Sequence, residues 1–261
     1  MSNGVVLETK NLTMRFGGLT AVQKFSARVQ EGRIVGLIGP NGAGKTTCFN
    51  MITGFYVPTE GQVLFQGVDI TGLPPHKVCV RGIARTFQNI RLFKNETVLQ
   101  NVMIAGHVRQ TSPWWGKALG LPSAIREERD LRERSLSLLD AVGLVHLASE
   151  QADSLPYGAQ RRLEIARALA TNPRFLLLDE PAAGMNPQES EALMAFIRNI
   201  RDRFSLTILL IEHDMKVVMG VCEHIWVLDY GVCIAEGEPA AIRSNPKVIE
   251  AYLGEETPVH A

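Results

Sequence analysis

Gly39-Pro40-Asn41-Gly42-Ala43-Gly44-Lys45-Thr46 is the stretch on which the fold turns. It fits G-x-x-x-x-G-K-[ST], a pattern that means little unless a strand precedes it and a helix follows. Here Ile34-Val35-Gly36-Leu37-Ile38 comes before, a short apolar run of buried-strand type. Thr46-Thr47-Cys48-Phe49-Asn50-Met51-Ile52-Thr53 comes after, tolerates a helix, and is closed by Gly54. Glycines let such a backbone curl with its N–H groups aimed at one anion, and the helix N-terminus adds partial positive charge. The expectation is a cradle for a nucleoside triphosphate. Gly39, Pro40, Asn41, Gly42, Ala43 and Gly44, with Thr47 beside them, would surround the phosphates. Lys45 would reach the β- and γ-phosphates, and the Thr46 hydroxyl would ligate Mg²⁺.

The totals fit such a protein. A chain of 261 residues holds one large domain or two small ones, and 46% apolar with 21% charged residues is ordinary soluble composition. Twenty-seven acids balance twenty-seven bases, which removes nucleic acid as a bulk electrostatic partner. Cys48, Cys79, Cys222 and Cys233 form no C-x-x-C pair and have no His at zinc spacing, so reduced thiols in a cytosolic protein are expected. Met1-Ser2-Asn3-Gly4 leads into a strand-like run without a signal-peptide pattern, and no apolar stretch approaches the ~20 residues that span a bilayer.

Upstream of the loop, Val5-Val6-Leu7-Glu8-Thr9-Lys10 and Phe25-Ser26-Ala27-Arg28-Val29 have strand character, with Gly17-Gly18 as the turn between them. Phe16, just before that turn, has two readings: core packing, or an aromatic face for a nucleobase. Val63-Leu64-Phe65-Gln66-Gly67 reads as another hairpin arm. From Gln88 the character turns helical, over residues 92–106 and 127–143. The second helix carries Leu131, Leu138, Leu139 and Val142 on one face. Between them Ser112-Pro113-Trp114-Trp115-Gly116 is either an exposed contact surface or a loop folded over its own rings.

Further on, Phe175-Leu176-Leu177-Leu178 ends in Asp179-Glu180, and Leu206-Thr207-Ile208-Leu209-Leu210-Ile211 ends in Glu212-His213. Both are apolar runs of parallel-strand type, and ligand chemistry in open α/β sheets gathers beyond the carboxyl ends of such strands. Between them a helix with Leu193, Phe196, Ile197 and Ile200 on one stripe starts at Asn186-Pro187. Ile225-Trp226-Val227-Leu228-Asp229 and Val232-Cys233-Ile234-Ala235 flank Tyr230-Gly231 as a hairpin, and Asn245-Pro246 starts a last short helix. Asp179 is either a plain turn residue or, given the phosphate loop upstream, a holder of Mg²⁺ through water. Glu180 is placed to polarise a water for attack on the γ-phosphate. His213 is either structural or a hydrogen-bond partner of that phosphate.

The segment Leu155-Pro156-Tyr157-Gly158-Ala159-Gln160-Arg161-Arg162-Leu163-Glu164-Ile165-Ala166-Arg167-Ala168-Leu169 resembles the signature helix of ABC-type ATPases, usually begun by L-S-G-G-Q. It lies just upstream of Leu178-Asp179-Glu180-Pro181, as in that family. Gln88 falls at the family's Q-loop, Ala183-Gly184-Met185-Asn186 at its D-loop, His213 at its switch histidine, and Phe16 at the aromatic that stacks on adenine. Within the family the chain resembles the LivG type, ATP-binding subunits of branched-chain amino acid importers. Met14-Arg15-Phe16-Gly17-Gly18-Leu19, Arg85-Thr86-Phe87-Gln88-Asn89-Ile90-Arg91-Leu92-Phe93, Ile211-Glu212-His213-Asp214-Met215 and the tail Ala251-Tyr252-Leu253-Gly254 carry that likeness.

The resemblance implies an α/β fold of ABC ATPase type. Its P-loop core, residues 1–88 and 156–240, has a parallel sheet and an antiparallel β subdomain; residues 89–155 form an inserted helical subdomain, and residues 241–261 a helix and tail. It implies ATP and Mg²⁺ as cofactors, with Thr46, Gln88 and Asp179 on the metal and Lys45, Gln88, Glu180 and His213 in catalysis. It also implies two transmembrane permease subunits, a second ATP-binding subunit, and indirectly a periplasmic or extracellular substrate-binding protein, with the chain peripheral on the cytoplasmic face of the membrane. Pro156, Tyr157, Gly158 and Ala159 would face the nucleotide of the partner subunit. Two departures stand out there: Pro156 replaces the usual Ser and Ala159 the usual Gln. Pro156 has neither hydroxyl nor N–H to offer a phosphate. Either the site tolerates this, or the subunit works in an asymmetric pair. The runner-up reading keeps the ATPase and changes its work to lipid export, translation or DNA repair. Tandem cores, heptad arms or zinc-spaced cysteines would mark the last two, and the sequence has none.

Overall fold

The computed structural model describes residues 4–110, 112 and 121–253. They form two units, Met1–Val78 with Arg174–Ala261, and Cys79–Pro173. In the first, β1 (Val5–Phe16) and β2 (Leu19–Gln30) pair antiparallel, Phe16 opposite Leu19, across the expected Gly17-Gly18 turn. Both strands run further than their apolar alternation suggests. Register shifts near Asn11 and Lys24, each with positive φ, break the period of two without ending the ladder. β3 (Ile34–Ile38) and α1 (Lys45–Ile52) bracket the glycine-rich loop. β4 (Glu60–Phe65) pairs with the other edge of β1, and β5 (Val68–Asp69) folds back on it, in the order β2-β1-β4-β5. Gly67 is therefore part of a turn and not of an arm. Gln66 at φ 50° and Gly67 at φ 78° are the paired left-handed residues of a tight hairpin.

α2 (Pro75–Arg81) crosses into the second unit, where β6 (Ile83–Arg85) follows. α3 (Val98–Gly106) starts later than the expected residue 92. Thr97 and Gln100 close a capping box, and the buried Asn101 amide holds the Phe93 and Thr97 carbonyls at 2.9 and 3.0 Å, keeping the preceding stretch as a turn. α4 (Pro122–Ala141) starts earlier than residue 127, with Pro122 in its first turn, and buries Leu131 and Leu139. α5 (Tyr157–Ala170) packs on α3 and α4. That packing draws α5 into this unit, which is wider at both ends than the expected subdomain at 89–155. Trp114 and Trp115 lie outside the described residues.

The first unit resumes with β7 (Phe175–Asp179), α6 (Pro187–Phe204), β8 (Thr207–Ile211), α7 (Met215–Val221), β9 (His224–Asp229), β10 (Val232–Gly237), α8 (Pro239–Arg243) and α9 (Pro246–Leu253). β3, β7 and β8 are buried at every position, as strands covered on both faces require. In this unit the strands pair in the order β10-β9-β3-β8-β7, parallel except for the β9–β10 hairpin. α6 starts where expected: Asn186 accepts from Glu189 N at 2.9 Å and Glu189 returns the bond at 2.9 Å. Among the described residues no helix is long and apolar enough to cross a membrane.

Candidate active site

Because β3, β8 and β7 are adjacent and parallel, the segments that follow them leave one edge of the sheet. Residues 39–46 follow β3, Glu180 follows β7, and Glu212-His213 follow β8. The loop geometry needs glycine at two points. Gly39 has φ 148°, and a Cβ there would lie 2.0 Å from the Leu228 carbonyl oxygen. Gly44 has φ 100°, and a Cβ would lie 2.5 Å from the Ala21 carbonyl oxygen. The β9–β10 turn braces the loop, Gly231 N donating to Ala43 O at 3.0 Å.

Lys45 is buried, and its ammonium donates to the carbonyls of Gly39 at 2.6 Å and Pro40 at 2.7 Å. It thus lies across its own loop. Thr46 is exposed and Thr47 half-buried at the start of α1. That helix has no side-chain cap and no acid in its first turn, so no side chain there offsets its positive end. Asp179 closes β7 and is buried. Glu180, next along, has φ 47°, a left-handed backbone rare for a side-chain-bearing residue. Its N–H donates to Ile211 O at 2.9 Å, and its Oε2 lies 3.6 Å from Nδ1 of the exposed His213. The acid pair and the histidine are therefore brought together.

Phe16 does not enter the core. Its ring is 43% exposed and meets the Tyr56 ring edge-on, centroids 5.4 Å apart. Tyr56, itself exposed, was not picked out by any sequence pattern.

A family model described as ABC transporter matches residues 22–183, more than half of the chain. The chain belongs to the ABC transporter ATPases. A second model, Branched-chain amino acid ATP-binding cassette transporter, matches residues 232–257. The high-affinity branched-chain amino acid transport ATP-binding protein BraF of Pseudomonas aeruginosa is 49% identical over 250 residues, which cover 96% of this chain and 98% of that protein. LivG of Escherichia coli, of the same description, is 47% identical with the same coverage. Among solved structures, an ATP-binding cassette of an ABC transporter in its ADP conformation superimposes with a TM-score of 0.84 at 35% identity, covering 96% of this chain and 99% of that one. A dimeric post-hydrolysis ATP-binding cassette bound to ADP and Pi gives 0.74 at 26% identity, covering 89% and 98%.

The second unit of this ABC ATPase carries Gln88 and the signature helix, and there the backbone around Gln88 is tied to α5. Arg161, buried, donates to Phe87 O at 2.8 Å, to Gln88 O, and to Glu164 at 3.2 Å. Glu164 accepts from Phe87 N at 3.2 Å; burial pushes its carboxyl up, against the pull of that N–H and of Arg161. Arg161 also donates to the Tyr157 hydroxyl, at 3.0 Å from Nη2. Tyr157 is a third departure from L-S-G-G-Q; it stands exposed at the start of α5, beside exposed Pro156. Among the described residues a Cβ on Gly158 would meet nothing within 4 Å beyond its own helix, so their packing does not demand glycine there. Ala159 points inward and is buried, with its N–H on Pro156 O at 2.9 Å. Its side chain is therefore not presented with the other three.

Removing one half of a buried ion pair strands the other charge. Arg161→Met is expected to cost about 3–5 kcal/mol of stability, read as a fall in the urea midpoint. An unchanged midpoint would mean that Glu164 finds another partner.

Proposed function

We propose that this chain is the ATP-hydrolysing subunit of an importer of branched-chain amino acids, peripheral on the cytoplasmic face of the membrane and docked on two permease subunits. The observation that carries the reading is the meeting, at one sheet edge, of the phosphate loop, the Asp179-Glu180 pair and His213. It occurs in a chain that matches branched-chain amino acid transport ATP-binding proteins along nearly its full length.

ATP would bind with its phosphates against residues 39–46 and Thr47, Lys45 on the β- and γ-phosphates, and adenine on the exposed Phe16–Tyr56 pair. Glu180 would take the proton of the attacking water, and His213 would hydrogen-bond the γ-phosphate. The Thr46 hydroxyl and Asp179 carboxylate are hard oxygen donors of the kind Mg²⁺ takes, and we keep Gln88 as a further ligand by resemblance. The metal would supply charge neutralisation on the phosphates.

Pro156, Tyr157 and Gly158 would face the nucleotide of a second ATP-binding subunit, the open space at Gly158 suiting a close approach. Ala159 would contribute from behind them. Closure of two such subunits on ATP and release after hydrolysis would drive the permeases, with residues 89–106 as the docking surface. A substrate-binding protein on the far side of the membrane completes the system.

The test is a deletion strain. It should lose high-affinity uptake of leucine, isoleucine and valine, and the protein purified from membranes in mild detergent should bring two integral membrane proteins with it. Intact uptake of these amino acids beside loss of another substrate would overturn the cargo and leave the ATPase standing.

A further inference from the structure

Glu212 is a carboxylate with no role in the mechanism above, and it is completely buried. One oxygen accepts from Ala182 N at 2.7 Å. The other accepts from His213 N at 3.1 Å and Asp214 N at 3.4 Å, and lies 4.0 Å from His213 Nδ1. A single side chain thus ties the segment after β7 to the segment after β8. Ala182 is two residues beyond Glu180; His213 is the next residue after Glu212 itself. Glu180 is therefore pinned twice, by its own N–H on Ile211 O and by the grip on Ala182.

A left-handed glutamate costs of order 1–3 kcal/mol and persists only where its surroundings over-determine it. The Glu212 clamp is such a surrounding. Among the described residues, the hydrogen bonds to its two oxygens all come from backbone N–H groups, so the site calls for an acceptor at both positions. Glutamine, of the same size, would turn an N–H₂ group toward at least one N–H. Burial pushes the Glu212 carboxyl up, and the N–H of Ala182, then those of Asp214 and His213, oppose it.

We propose that Glu212 is a positioning residue for hydrolysis, a clamp that aims the Glu180 carboxylate and holds His213 beside it. The inference rests on the reading of Glu180 as the group that activates water. A misplacement of about 1 Å in such a group can cost on the order of a hundredfold in rate.

The experiment uses the purified full-length chain with Mg²⁺ and ATP, comparing wild type, Glu212→Gln, Glu180→Gln and the double variant. Turnover is measured alongside the Kd of a fluorescent ATP analogue. Glu212→Gln should lower kcat about ten- to a hundredfold with Kd within about twofold of wild type. Residues acting as a unit are not additive, so adding it to Glu180→Gln should leave the residual rate within about twofold.

A merely structural carboxylate would lower affinity and stability together and depress the double variant further; that result overturns the proposal. So does full turnover of Glu212→Gln beside a crippled Glu180→Gln. Wild-type turnover of Glu180→Gln would overturn the underlying reading and this one with it. Should Glu212→Gln fold poorly, Glu212→Ser leaves room for water to satisfy the N–H groups, and the same comparison applies.

Discussion

Replacing Lys45 with Ala should weaken ATP binding about ten- to a hundredfold and bring hydrolysis to background. The ammonium is the one cation inside residues 39–46, already positioned by the carbonyls of Gly39 and Pro40. Those carbonyls are neutral acceptors, whereas a triphosphate is highly charged, so the exchange of partners favours the nucleotide. A hydrogen bond to a charged group contributes about 1.5–3 kcal/mol, and 1.4 kcal/mol is a factor of ten in Kd. The fold should tolerate the change. Two carbonyls at a loop mouth lose a donor that water can replace, for a cost of order 1 kcal/mol. Titration with an ATP analogue and a urea melt together check this. A Kd within twofold of wild type would take Lys45 off the phosphates, and a large loss of stability would make its role structural.

The loop, the carboxyl ends of β7 and β8 and the start of α6 were legible because each has a local cause. Gly39 and Gly44 are required by backbone geometry, and Asn186-Pro187 announces a helix by capping chemistry that needs no tertiary partner. What stayed hidden depends on contacts that no periodic pattern announces, some local and some distant in sequence. The start of α3 is set by the Asn101 amide, which meets carbonyls a sequence pattern does not pair with it. The long ladders of β1 and β2 were masked by bulges at Asn11 and Lys24. Phe16 had two readings until its exposed edge-on contact with Tyr56 set it outside the core. The sequence assigns no role of their own to Arg161, Glu164 and Glu212. Only their burial, and the backbone groups they hold, shows that they organise the segments around Gln88, Glu180 and His213. A buried charge carries no periodic signal beforehand, since its partners come from other elements.

Glu180→Gln should have the converse effect to Lys45→Ala: ATP affinity kept within about twofold and kcat reduced about 10²–10⁴-fold, the range for loss of a general base. That corresponds to about 2.7–5.4 kcal/mol of transition-state stabilisation. Glutamine has nearly the same size and pays the same backbone strain at φ 47°, so packing and stability should hardly change. A second substitution separates strain from chemistry. Glu180→Gly removes both the carboxylate and the left-handed penalty, so it should raise stability by about 1 kcal/mol while hydrolysing no faster than Glu180→Gln. Such a pair of results would mean that the chain tolerates a strained residue at the end of β7 because the carboxylate is needed at that point, 3.6 Å from His213. If Glu180→Gln turned over ATP at near the wild-type rate, the strain would have no catalytic explanation, and another group would have to take the proton of the attacking water. His213 would be the next residue to test, since its Nδ1 lies 3.6 Å from that carboxylate.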